Sequence, residues 1–527
     1  MEHLQLKINR EMLDPKFDGY KVSMENIYVD SKHLEQEMCS RTPTKNMVTL
    51  EHIKVFSNST SLFHDSTNCS DDEHEFFYRV LENGQIQRLM FEKTARKWNV
   101  SIVSDINIGK EDSAFPVNLL FTERNLIVAC NGVSAITVFL AASKSNWVKM
   151  LEQNIIEGTG LALIEARVFN NELHILAQSI ESEPQAKTCS KIHWITVDIQ
   201  DIDYAEQLQI KRKEVFVQKG HFQTCSFDGN GCIIFLSSEK PSSEYEKTSN
   251  DYTWTQDDNS VKVTFNLDSN ISNPTSDEID LNITKSEVLL MVKGTTILSG
   301  SFFGFIDEND VEVCSDPQTN SLNLIFKKSE PKKWENLTTD RKISSIISNE
   351  KVFGADETAE ECDEADSSLS FFWIDQNTCR TVKQCDVAGC QVLFISRDCV
   401  SPATVCLRYD VDGILLSLKE ASPRHWATLH AFGYVQASKV NRVWSGCSPN
   451  NKYACIVEGN NRVLLYSQKM DIEGTLSNRK TSTTLNHISK QHIIRIECSD
   501  PVQGVHLTND LLFALTKNQI HVAELPK

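Results

Sequence analysis

A unit of two apolar strands joined by a tight turn recurs along this chain, and few folds can use it. It reads FFYRVLENGQIQRLMF from Phe76 and NLIVACNGVSAITVFL from Asn125. It returns as ELHILAQ from Glu172 with IHWITVDI from Ile192, and as SFDGNGCIIFL from Ser226. Further copies begin at Ser370, Thr404, Tyr453 and Leu511. Turns of the NG, GN, DG and KN kind mark hairpins. The starts at 76, 125 and 172, and those at 404, 453 and 511, lie 47 to 58 residues apart. Such a period predicts an all-β chain built as a β-propeller of about seven blades. A single four-stranded blade cannot bury both its faces, whereas a ring of blades buries them and leaves only short edges. The competing assignment is a row of separate β-sandwiches. The units at 370 and 404 are too close to be two full blades. The last strand, QIHVAEL, ends at Leu525, which suits closure of a ring by pairing of the chain ends.

Outside the repeat the signals are mixed. Residues 12–21 carry Pro15 and Gly19 and read as loop or edge strand. MVTLEHIKVF, from Met47, reads as a strand, followed by a polar acidic loop over 58–75. The start, MEHLQLKINREMLDP, has no apolar run of the secretory kind. The longest uncharged stretch, 125–143, contains Asn131-Gly132 and so reads as a hairpin rather than a membrane helix. The net charge of −19 disfavours direct binding to nucleic acid or acidic membranes and favours basic protein surfaces. The 16 cysteines contain no C-x-x-C pair and fall inside apolar runs such as those of Cys130, Cys232, Cys406 and Cys455. They read as buried free thiols of a reducing compartment, with no metal site.

One region breaks the repeat. Over 251–338 the apolar residues alternate: Val261, Val263, Phe265, Leu267; Ile279, Leu281, Ile283; Leu322, Leu324, Phe326. Period two between Asn, Asp, Ser, Gly and Pro predicts short antiparallel strands of a small β-sandwich. EKPSSEYEKTSN before it reads as a linker. After it, DRKISSIISNEKV suits a short helix with Ile343, Ile346 and Ile347 on one stripe. ADETAEECDEAD, with seven acids in twelve residues, reads as an acidic connector or a dock for a basic partner. The expected organisation is a propeller part over 1–246, the sandwich over 251–338, a helix and acidic linker over 339–368, and a second propeller part over 369–527.

The sandwich also resembles a known family. Tyr252-x-Trp254-x-Gln256, the V-x-V-x-F-x-L strand, a K-G-x-x-x-L-x-G hairpin (Lys293, Gly294, Leu298, Gly300) and a closing Trp334-x-x-Leu337 are similar to the CS domain of the NudC family, related to the p23 co-chaperone. The family's Ser-x-x-Trp has no counterpart in 311–319, which lacks Trp. LDPKFDGYK, TLEH, FDGNG, CLRYDVDGIL and HAFGYVQASK extend the resemblance to both flanks. It implies a monomeric protein of cytoplasm and nucleus without enzymatic activity or cofactor. It implies protein clients, often propellers, and the 90-kDa heat-shock chaperone as partners. It also implies a link to a DEAH-box RNA helicase of splicing and ribosome assembly, as adaptor or as dedicated regulatory subunit.

No P-loop, GxGxxG, HExxH or GxSxG is present. Asp410 and Asp412 with Gly413 lack the Glu a calcium loop needs. The candidate residues are therefore for partner binding. Phe302, Phe303 and Phe305 flank a Gly-bearing turn and are either core or an exposed aromatic anchor. Lys327, Lys328, Lys332 and Lys333 are a solvated face or a dock for an acidic segment. Arg408, Asp410 and Asp412 brace a blade turn or touch a partner. Trp254 is assigned to the sandwich core.

Overall fold

The computed structural model describes residues 2–243, 252–337 and 369–526, apart from short stretches within them, the longest being 182–187, 268–273 and 478–483. The helix and acidic connector expected over 339–368 lie outside the described residues. The chain divides into two units, 1–241 with 364–527, and 242–363.

The larger unit is a ring of seven antiparallel blades. Blade 1 is Phe63–His64, His74–Val80, Gln85–Glu92 and Lys97–Asp105; blade 2 is Asn118–Phe121, Leu126–Cys130, Ala135–Ser143 and Asn146–Asn154. Blade 3 is Ala162–Phe169, Glu172–Glu181, Cys189–Asp198 and Ile210–Gln218. Blade 4 is Phe222–Phe227, Ile233–Ser237, Ser370–Ile374 and Thr381–Asp386. Blade 5 is Val392–Ser396, Thr404–Tyr409, Asp412–Ser417 and Arg424–Leu429; blade 6 is Arg442–Cys447, Tyr453–Glu458, Arg462–Ser477 and Thr484–Arg495. Blade 7 is Gly504–Leu507, Leu511–Leu515 and Gln519–Glu524, completed by Val29–His33 from the other end of the chain.

Period-two alternation explains the ring. Along each central strand, odd and even residues enter the cores on opposite sides of the blade. Phe76 and Tyr78 pack with blade 2, but Phe77 packs with blade 7. Ile234 and Leu236 pack with blade 5, but Ile233 and Phe235 pack with blade 3. Leu512 and Ala514 pack with blade 6, but Phe513 and Leu515 pack with blade 1. Cores between blades 2 and 3 and between blades 5 and 6 complete the circle. Strands buried on both faces read as continuous apolar runs, as in Leu126–Cys130 and Leu511–Leu515. Each large side chain so buried contributes about 1.5–3 kcal/mol.

The break falls inside a blade. Ile233–Ser237 pairs with Ser370–Ile374, with Ser237 opposite Ser370. The units at Ser226 and Ser370 are thus two halves of blade 4, which explains why the units at 370 and 404 are so close. The insert occupies the connection between that blade's second and third strands.

The first 33 residues form a belt on the outside of the ring. Glu2–Gln5 adds a parallel strand to Thr381–Asp386 of blade 4. The Asn9 N–H donates to His425 Nδ1 of blade 5 at 3.2 Å. Tyr20 donates to the His430 carbonyl, accepts from Gln468 Nε2 at 2.9 Å and packs on Tyr466. Lys21–Val22 pairs beside Thr484–Arg495 of blade 6, and Val29–His33 closes blade 7 against Gln519–Glu524.

The expected strand at Met47 is corrected to a helix, α1 (Leu50–Ser57). Thr49 caps it, its hydroxyl accepting the His52 N–H at 3.4 Å, and Glu51 lies in the first turn, where the helix dipole favours a carboxylate. Val55, with Met47 before the helix, packs among Phe115, Ala162 and Ile180, and Lys54 donates to the Phe222 carbonyl at 3.2 Å. The β-branched residues of this stretch mimic a strand, but contact with the ends of blades 2, 3 and 4 selects the helix. A second helix, α2 (Phe432–Ala437), joins blades 5 and 6.

The axis of the ring is crossed by the chain. The Arg397 guanidinium donates to Thr224 of blade 4, the Asp398 carbonyl accepts from Arg167 of blade 3 at 3.3 Å, and the Cys399 N–H donates to Ser66 next to blade 1 at 3.2 Å. A loop of blade 5 reaches blades 1, 3 and 4 together only by passing over the axis.

The second unit is the expected sandwich. One sheet holds Tyr252–Gln256, Ser260–Asn266, Ser321–Lys328 and Ile306–Asp316; the other holds Ile279–Ile283, Glu287–Val292 and Thr295–Ser301. Val261, Val263 and Phe265 stand opposite Phe326, Leu324 and Leu322, and Val288, Leu290 and Val292 of the other sheet join them in the core.

Candidate interaction surfaces

In the sandwich, the opening and closing motifs meet on Gln256. Its Oε1 accepts from the Trp334 N–H and from Lys328 Nζ, each at 2.8 Å, and its Nε2 donates to the Trp334 carbonyl at 2.7 Å. Lys328 Nζ also donates to the Asp257 carbonyl at 2.7 Å and the Lys332 carbonyl at 3.0 Å. Lys328 is buried, so its place in an exposed basic dock is corrected: its three donors are used inside the domain. Lys327 is exposed and paired with Asp310, while Lys332 and Lys333 face solvent.

The three phenylalanines separate. Phe302 is core, 4.8 Å from the Phe326 ring and 5.9 Å from Trp334, which removes it from the partner-binding candidates. Phe303 is half-buried, and its N–H donates to the Leu337 carbonyl at 3.1 Å. Phe305 is 64% exposed. Gly304 between them lies under the indole: a Cβ there would stand 2.6 Å from Trp334 Nε1. Trp254 is half-buried at the margin of the core.

In the propeller, connections between second and third strands and connections between blades share one face, because strands alternate in direction. The insert leaves from this face, and α1 and α2 lie on it. So do Arg408, Asp410 and Asp412, at the turn between the second and third strands of blade 5. Arg408 Nε donates to the Asp410 carbonyl at 3.1 Å, and Asp412 Oδ1 accepts the Ala431 N–H at 2.6 Å. Asp410 is exposed, with a φ of 54°. Arg408 and Asp412 therefore brace the turn against α2, leaving Asp410 as the outward group.

Sequence reasoning missed the apolar groups of this face. Leu50 and Ile53 of α1 are about half exposed, Val411 is exposed, and Tyr434 of α2 is 64% exposed. Their signal was faint: two apolar residues three apart on the outer side of α1, and a Tyr within HAFGYVQASK.

The chemistry available inside the ring is muted. Burial pushes the thiols of Cys399 and Cys385 up to about 11 and that of Cys130 up to about 12. Burial pushes the imidazoles down, His174 to about 4 and His193 to about 3. Such groups are held neutral, the state that packs best. Among the described residues no group of three or more His, Cys, Asp or Glu side chains could hold a metal ion, and no helix is long and apolar enough to cross a membrane.

These features define a class: a closed seven-bladed propeller with a CS-type sandwich spliced into one blade. Residues 250–328 match the family model of the CS domain. Along nearly its whole length the chain resembles NudC domain-containing protein 1. It is 24% identical to the Mus musculus protein over 582 residues, covering 98% of this chain and 97% of that one. It is 23% identical to the Xenopus tropicalis protein over 598 residues, covering 99% and 98%. Among solved structures, Sqt1 from Chaetomium thermophilum is similar at 11% identity, over 89% of this chain and 98% of that chain, with a TM-score of 0.34. The ring itself stands on the chain's own strand pairings and inter-blade cores.

Proposed function

We propose that this chain is a non-enzymatic adaptor of the co-chaperone kind. It binds protein clients in cytoplasm and nucleus and presents them to the 90-kDa heat-shock chaperone. The observation that carries the reading is the CS sandwich placed within blade 4 of a closed propeller, so that one chain bears two recognition modules. The apolar groups of α1 and α2, on the face from which the insert leaves, support client contact there, since rigid scaffolds present such groups well. The net charge of −19 supports basic protein surfaces over nucleic acid as partners.

Quantitative pull-down with mass spectrometry tests this, comparing the full chain with a form lacking 251–338, with and without an inhibitor of the chaperone ATPase. The adaptor reading predicts chaperone and several immature clients, lost without the insert. A single DEAH-box RNA helicase recovered near one to one, independent of insert and inhibitor, would instead make the chain that helicase's regulatory subunit.

A further inference from the structure

On the propeller face that carries the connections between first and second strands, blades 1 and 2 enclose a cleft of about 210 Å³. Its aromatic wall is Tyr78, Phe121 and Trp147, with ring centroids 4.9 Å apart for Tyr78–Phe121 and for Tyr78–Trp147. Its polar wall includes Asp65, Thr67, Thr122 and Asn125. Asp65 is fixed in direction, its Oδ1 accepting the Thr67 N–H at 3.0 Å and the Thr67 hydroxyl. We infer that this cleft receives an arginine or lysine side chain of a basic partner segment, its stem against the rings and its cationic head at Asp65. The inference rests on the reading of the propeller as a protein-binding scaffold.

Three observations favour a cation. Aromatic faces carry negative potential, best developed on Trp, and attract ammonium and guanidinium groups. Burial chiefly raises the Tyr78 phenol pKa and the nearby Asp65 carboxylate raises it further, while Arg88, across the strand pair, acts on the same phenol in the opposite sense. The same chain already uses this arrangement internally: the Arg212 guanidinium lies 4.7 Å from the Trp194 ring centroid, with Glu214 Oε1 3.1 Å from its Nε. A purely apolar ligand would strip water from Asp65 and Asn125 without replacing their hydrogen bonds. An anion would meet Asp65 directly.

Saturation-transfer NMR on the full chain tests this, with N-acetyl-arginine amide as probe and N-acetyl-norleucine amide as neutral control. The arginine probe is expected to bind and the norleucine probe not. Asp65→Asn should weaken binding at least about tenfold, the worth of a charge-assisted hydrogen bond. Glu157→Gln, the same charge change at an exposed site on the other face, should leave it unchanged. Ala142→Lys, at an exposed position lining the cleft, should abolish binding, and Ala142→Glu should preserve it; neither substitution disturbs the core. Equal binding of norleucine would overturn the inference. So would failure of both probes, or an equal response of the Asp65→Asn and Glu157→Gln proteins, which would show only general attraction to an acidic surface. None of these results depends on the chaperone, so the adaptor proposal stands or falls separately.

Discussion

Lys328 is the residue whose sequence context misleads most. Four lysines within seven residues suggest one basic surface, yet Lys328 Nζ is spent on Gln256, Asp257 and Lys332. Lys328→Ala should destabilise the sandwich by about 1–3 kcal/mol, because buried acceptors lose a charged donor. Lys332→Ala with Lys333→Ala should leave its melting unchanged, as calorimetry on the full chain can check. Alternation puts Lys328 on the core side of its strand with Leu322, Leu324 and Phe326, but it does not show which groups close over the ammonium. His174 and His193 carry a second prediction. Their folded pKa values lie below the ordinary 6.5, near 4 and 3, so the unfolded chain binds more protons. Their contribution is complete above about pH 6.5 and is lost as pH falls toward the folded values. At pH 5 the loss is about 2 kcal/mol for each. Denaturant midpoints measured between pH 7 and pH 5 should fall accordingly, and the fall should shrink in His193→Gln; a flat profile would mean these imidazoles are not held neutral.

Among the elements, the hairpin repeat was legible because each second strand is buried on both sides and flanked by turn residues. Its copies at 76, 125, 172, 404, 453 and 511 correspond to the second strands of blades 1, 2, 3, 5, 6 and 7. Blade 4 was not legible as one element, since its halves pair across 238–369 and no local pattern links Ser237 to Ser370. Helix α1 was lost for a related reason: its β-branched residues favour a strand, and tertiary contact with three blades decides otherwise. Of the belt, only residues 12–21 carry a local signal, that of a loop or edge strand. Its weight should show on removal of residues 1–33, which takes away the fourth strand of blade 7 and the outer strands on blades 4 and 6. The propeller's thermal unfolding should shift well downward in that form, whereas an unchanged transition would mean the ring is held without the belt.

At the scale of the whole molecule, two separated stretches of sequence form one ring, and a second fold is carried within one of its hairpins. Insertion there is tolerated because a loop between paired strands can lengthen at small entropic cost while the strands keep their partners. Of the candidate surfaces, the sequence located the sandwich's exposed Phe305 and the blade 5 turn. The inter-blade cleft stayed hidden, because Asp65, Tyr78 and Trp147 are brought together only by blade packing. The closed, interrupted ring is most directly tested by cutting the chain where the insert joins it. Protease recognition sequences would be placed after residues 246 and 350, and the cleaved protein passed through native size exclusion. The two outer fragments should co-elute, held by the Ile233–Ser237 with Ser370–Ile374 pairing, by Glu2–Gln5 on blade 4 and by Val29–His33 on blade 7. Separation of those fragments without denaturant would contradict the ring.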